Sequence, residues 1–224
     1  MIPVEPMKNL ITLLALGLAL PFAAGTAHAD GRGGGYYGQP AYQSTLPGGF
    51  HNRGGRVIFG GSLGLGGMSD NGGDIQCSDC TYGTLAGEGS VHIGGFVGPR
   101  FALLAELQAN VQTLSSNNAT GDTTSLVQGA LMIAGQYWLT PQLWIKGGIG
   151  FAELHTDRSY YGDGIIDQSS VPQHGVAAMG AVGYELFSAP RFSVDIQGRL
   201  LNGSYKQLNN NVTAGSIGLG INWF

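Results

Sequence analysis

The sequence predicts an all-β protein: an eight-stranded antiparallel transmembrane β-barrel behind a cleaved N-terminal signal peptide. Three observations predict it. From Arg56 onward, apolar and polar residues alternate with period two in eight segments. The connections between those segments alternate between tight and long. Charged residues make up only 11% of the 224 positions while hydrophobic ones make up 43%, against roughly 25% charge in soluble globular domains.

The N-terminal 29 residues read as a signal peptide. Lys8 gives a short positive region, Leu10 to Phe22 an apolar one, and Ala27-His28-Ala29 a small-x-small cleavage site, so the mature chain is expected to begin at Asp30. Met1 and Met7 are both candidate starts. The apolar run is too short to serve as a spanning helix, which needs about 20 residues. Residues 30–55 form a Gly- and Pro-rich segment, with Gly33-Gly34-Gly35, Pro40, Pro47 and Gly48-Gly49. Such a composition buries little, so a flexible periplasmic extension is expected. A tether or a lumen plug is the alternative.

Residues 56–224 form the barrel. In the clearest strand Phe101, Leu103, Ala105, Leu107, Ala109 and Val111 share one face, and Leu104, Glu106, Gln108, Asn110 and Gln112 the other. Side chains alternate across a strand, so one face is apolar and one polar. The same alternation recurs at Val57–Gly66, Glu88–Val97, Val127–Leu139, Leu143–Phe151, Val176–Leu186, Phe192–Leu200 and Ser216–Trp223. Each is close to the ~9–11 residues that a tilted membrane strand requires. No later stretch is apolar enough for a spanning helix, and among strand structures only a closed barrel satisfies its backbone in lipid.

The connections separate a barrel from a soluble sandwich. Gly98-Pro99-Arg100, Thr140-Pro141-Gln142 and Ser188-Ala189-Pro190-Arg191 are tight, each with a proline suited to a turn. Between them lie long polar loops at 69–84, 115–124, 156–173 and 202–211. Short turns at one end and long loops at the other are the outer-membrane pattern. Tyr137, Trp138, Trp144, Tyr184, Phe187, Phe192, Trp223 and Phe224 gather near the short-turn ends, where an interfacial aromatic girdle is expected.

These segments, turns and loops, with the closing run Gly218-Leu219-Gly220-Ile221-Asn222-Trp223-Phe224, resemble the small OmpA/OmpX-type outer-membrane barrels. The resemblance implies integral outer-membrane location with both barrel ends in the periplasm. It also implies contact with outer-membrane lipid and lipopolysaccharide, and an insertion signal at Trp223 and Phe224 read by the barrel-insertion machinery. Here Trp223, rather than Phe224, is in phase with the apolar face. No peptidoglycan-binding domain is expected after the last strand.

Few constellations suggest chemistry. Cys77 and Cys80 are the only cysteines, and in an exported chain a disulfide is the first reading. Zinc would want further ligands, and a redox motif a βαβ setting. Asp70, Asp74, Asp79, Asp122, Asp157, Asp163 and Asp167 make the loops acidic, but no spacing matches a calcium loop. A lipid-modifying enzyme would need a serine, a histidine and an acid. The available groups are His92, His155 and His174 with Glu88, Glu153, Ser90 or Ser159, and ordinary polar lining is the simpler reading. Neither cofactor nor metal is expected. A net charge of -4 without a basic stripe gives no reason to expect nucleic acid. The sequence specifies no oligomeric state.

Strand phase points Glu106, Lys146, Glu185, Asp195 and Arg199 into the lumen. In so narrow a barrel they should pair, because a lone buried charge is costly. The expected role is that of a non-enzymatic barrel with a structural or surface-interaction function. A small channel or hydrophobic-solute conduit is the alternative, and a lipid-modifying enzyme stands behind both.

Overall fold

The computed structural model describes residues 45–46, 49–51, 53–74, 80–116, 123–159, 168–169, 172–205 and 210–224. The expected signal peptide and the start of the Gly-rich segment lie outside them, as does Cys77 of the expected disulfide.

Eight long strands form one meander: β1 Val57–Asp70, β2 Cys80–Phe96, β3 Phe101–Ser116, β4 Thr123–Trp138, β5 Leu143–Ser159, β6 Gln173–Ser188, β7 Phe192–Tyr205 and β8 Asn210–Trp223. Each pairs antiparallel with its sequence neighbours, and β8 pairs with β1, so no edge remains. The row of paired residues leaving β1 at Val57 runs through Leu103, Gly147 and Leu200. It returns to β1 at Gly67, a shear of ten residues. Eight strands at this shear tilt by about 40° and leave an interior that side chains can fill.

The strands are 14 to 17 residues long, longer than the 9–11 the alternation marks out. Their far ends run into the segments expected to be loops. Once hydrophobic alternation stops, ladder hydrogen bonds alone extend the strand, and these carry no side-chain signature.

The two faces are inverted relative to a soluble protein. Leu63, Ile149, Phe151 and Ile217 are about 70% exposed on the outside, whereas Glu106, Gln128, Glu185 and Asp195 are at most 1% exposed inside. Only a hydrocarbon surround stabilises such an exterior. Phe59, Phe101, Tyr137, Tyr184, Phe187, Phe192 and Trp223 lie on the outer phase near the tight turns, as a girdle requires. Trp138, Trp144 and Phe224 do not belong to it. Both tryptophans are on the inner phase and almost fully buried, and Phe224 folds against Phe96 with ring centroids 5.8 Å apart. Nearness to a turn was visible in the sequence, but phase decides which side of the wall a ring occupies.

The end of the segment expected to be flexible is built onto the barrel. Thr45–Leu46 pairs antiparallel with Phe50–His51. Gly55, at φ 74°, turns the chain into β1, a conformation natural to glycine. Its N–H donates to Phe96 O at 3.2 Å, and Arg56 N–H donates to Arg53 O at 3.1 Å.

Candidate functional site

The lumen gathers the buried charged groups of the described residues. It is lined because every second residue of a strand points inward. At mid-height Glu106 of β3 is the shared acceptor. Lys146 Nζ donates to its Oε2 at 3.0 Å, and Arg199 Nη2 donates to its Oε1. Arg199 also donates to Ser90 Oγ at 2.9 Å and Gln108 Oε1 at 3.1 Å, and its Nε lies 3.6 Å from Glu88 Oε1. Ser62 Oγ donates to Glu88 at 3.3 Å and lies 2.7 Å from Ser90 Oγ. Carboxylates and cations so arranged satisfy one another, as burial demands.

A second group lies beside it. Asn222 Nδ2 donates to Asp195 Oδ2 at 2.7 Å, and His92 Nε2 donates to Asn222 Oδ1 at 2.8 Å. Among the described residues no cation comes within ion-pair distance of Asp195.

The third group closes the short-turn mouth. Glu185, fully buried, accepts from both terminal nitrogens of Arg53 at 2.9 Å and from Trp138 Nε1 at 2.7 Å. Arg53 Nη2 also donates to Ser188 Oγ at 3.0 Å. A β-bulge between Glu185 and Phe187 makes this possible. It resets the phase so that Ser188, as well as Glu185, faces inward. The Arg53 guanidinium lies 3.9 Å from the Phe224 ring centroid and 5.2 Å from that of Trp138.

Of the five lumen charges named from the sequence, Glu106, Lys146 and Arg199 come together. Glu185 is paired elsewhere, with Arg53, and Asp195 is held by a neutral amide. Arg53, Glu88, Ser62, Gln108 and Asn222 were not assigned to the network. The charge count was a signal for Arg53: the inward set had three carboxylates and two cations.

Among the described residues, those considered for lipid chemistry do not assemble into a triad. Ser90 bonds to Ser62 and Arg199, and His92 bonds to Asn222. His155 and His174 lie 3.0 and 3.8 Å from Glu153 at the opposite end of the barrel, on the outer phase. The side chain of Ser159 is outside the described residues.

The rest of the lining is mixed: Leu126, Met132, Leu154, Met179 and Leu201 are buried together with Asn110, Gln112 and Gln128, and Met132 stands opposite Glu106 in the ladder. Gln128 donates to Tyr205 Oη and Val212 O, both at 3.1 Å.

No family model matches the sequence, and no curated protein matches it. Among solved structures, Ail, the attachment invasion locus protein of Yersinia pestis, in complex with the heparin analogue sucrose octasulfate, aligns with a TM-score of 0.54. The identity is 7%, and 75% of this chain and 99% of that one are covered. A second structure of Ail gives 0.51 at 8% identity with the same coverage. Neisserial surface protein A gives 0.43 at 12% identity, covering 75% of this chain and 95% of that one. The fold is that of a small outer-membrane barrel. Within this outer-membrane barrel fold, the lumen just described is filled by side chains from the turn end upward.

Proposed function

We propose that the protein is a non-enzymatic integral outer-membrane barrel whose lumen is a structural core and whose long-loop end is its contact surface. The observation that carries this reading is the filled lumen: Arg53, Glu185 and Trp138 at the mouth, then Lys146, Glu106 and Arg199, with Met132, Gln128, Leu154 and Leu201 also buried in the lining. In this reading the tight turns lie in the periplasm and the four long loops face outward, among lipopolysaccharide headgroups. The loops carry seven aspartates. Such a surface repels sulfated polyanions and favours cationic partners or divalent ions shared with lipopolysaccharide phosphates.

Planar-bilayer recording tests the filled lumen. Few or no resolved openings are expected, and steady well-resolved channels refute the reading. A cysteine placed at Gln142 tests the orientation. It should resist impermeant labelling in intact cells and react once the outer membrane is breached.

The apolar side chains of the lining, Leu126, Met132, Leu154, Met179 and Leu201, favour a second reading, a conduit for small hydrophobic solutes. Faster uptake of an apolar solute into proteoliposomes, without ionic conductance, would select it.

A further inference from the structure

We propose that the short-turn mouth contains a guanidinium-binding site, formed by Glu185, Ser188, Trp138 and Phe224, and that Arg53 fills it as a tethered ligand to latch the strap, residues 49–51 and 53–56, across the mouth. The inference rests on the filled-lumen reading only for its setting, and its test reads the mouth alone.

The site has the chemistry that a guanidinium selects. A planar fork of N–H donors matches the two oxygens of one carboxylate, and its faces stack on aromatic rings. Arg53 meets both conditions, with two 2.9 Å bonds to Glu185 and the rings of Phe224 and Trp138 around it. Trp138 has a double role. Its Nε1 donates to Glu185 Oε1, which fixes the carboxylate, while its ring lies beside the cation. Arg53 and Glu185 are 3% and 0% exposed, so water does not screen the pair.

The flanking contacts make the segment a strap. It contacts the first and third tight turns and passes beside the second. The Arg100 guanidinium of the first turn lies 3.5 Å from the Phe50 ring centroid. A Cβ built on Gly49 would stand 3.7 Å from Pro141 Cγ of the second turn. Arg56 Nη1 donates to Pro190 O of the third turn at 2.7 Å. Among the described residues of the strap Phe50 and Arg53 are buried, and Arg53 makes the buried ion pair. The pocket is made by the barrel and its C-terminal Phe224, so the latch can close only after β8 has paired with β1.

Chemical rescue tests the site. In the full mature chain in detergent micelles, Arg53→Ala should lower the midpoint of heat modification and expose the strap to protease between Gly49 and Arg56. Millimolar methylguanidinium should restore part of the midpoint, while methylammonium, with the same charge and no fork, should not. Adding Glu185→Gln should abolish the rescue. Arg53→Lys keeps the charge and serves where the alanine variant misfolds. It should fall short of the unmodified protein and leave the strap cleavable. An unchanged midpoint in Arg53→Ala, equal rescue by methylammonium, or full recovery in Arg53→Lys overturns the proposal. Heat modification and strap cleavage do not depend on conductance, so failure of the filled-lumen reading gives a different result.

Discussion

Gly183 of β6 sits opposite Trp144 of β5 in the ladder, and a Cβ on Gly183 would clash with the indole ring. The glycine is thus the space in which an inward tryptophan fits near the mouth. Gly183→Ala should force the ring or the wall to move, at a cost of about 1–3 kcal/mol. Gly198 is its control, because it faces outward with nothing within 4 Å of a built Cβ. Gly198→Ala should leave the urea midpoint in vesicles unchanged or slightly raised. Equal effects from the two variants would show that Trp144 does not depend on the gap.

Glu106, Lys146 and Asp195 should differ in their response to neutralisation. Glu106 is shared by two buried cations, so Glu106→Gln leaves both short of a partner and should cost roughly 3–5 kcal/mol. Lys146→Met leaves Glu106 its contact with Arg199 and should cost less. Asp195 accepts from Asn222 and has no cation at ion-pair distance among the described residues. Asp195→Asn should therefore be close to neutral, since an amide replaces an unpaired buried charge. Unfolding midpoints of the three variants give the ranking, and a large loss in Asp195→Asn would contradict it.

Much of this was legible in the sequence because period-two alternation is a direct image of an inside and an outside. The inward phase of Glu106, Lys146 and Arg199 could be read without knowing which strands touch. Pairing partners were less legible. A shear of ten residues brings Arg199 of β7 to Glu106 of β3 across the lumen, and shear leaves no trace in any single strand. The bulge at Glu185 was invisible for a related reason: it changes the phase of Ser188 without changing its type. Arg53 lies in a Gly-rich stretch that carries no periodicity, so composition suggested flexibility where one buried carboxylate imposes order.

His51 adjoins Arg53 in the strap. Burial holds its imidazole below the ordinary value of 6.5; the charges of Arg53 and Arg56 act the same way, and Glu185 opposes them. A lowered folded-state pKa means that the docked strap prefers neutral histidine. Docking is then complete above 6.5 and weakens as the pH falls through that value. The effect should be modest, because the ring is only partly buried. Hydrogen exchange at the Gly55 and Arg56 amides, corrected for intrinsic rates, should quicken between about pH 7 and about pH 5. His51→Gln should flatten the change. An unaltered pH profile in that variant would place the titrating group elsewhere.

Trp223 and Phe224 end the last strand on opposite sides of the wall. Trp223 stacks on Phe59 of β1, with ring centroids 5.2 Å apart and planes 7° apart, across the pair that closes the barrel. Phe224 turns inward, its N–H donating to Arg191 O at 2.8 Å and its ring lying against Phe96 and Arg53. Their substitutions should therefore separate. Trp223→Ala weakens the closing seam, by about 0.5–1.5 kcal/mol beyond the lost area, and should slow acquisition of the heat-modifiable form. Phe224→Ala should leave the seam intact but loosen the strap, so the protein inserts while residues 49–56 become cleavable. Deleting both residues removes the seam stack and the terminal phenylalanine together, and should stall insertion. Yields of heat-modifiable barrel from cells expressing each variant give the order. Normal yields from the doubly truncated chain would show that closure needs neither ring and that insertion is specified further up β8.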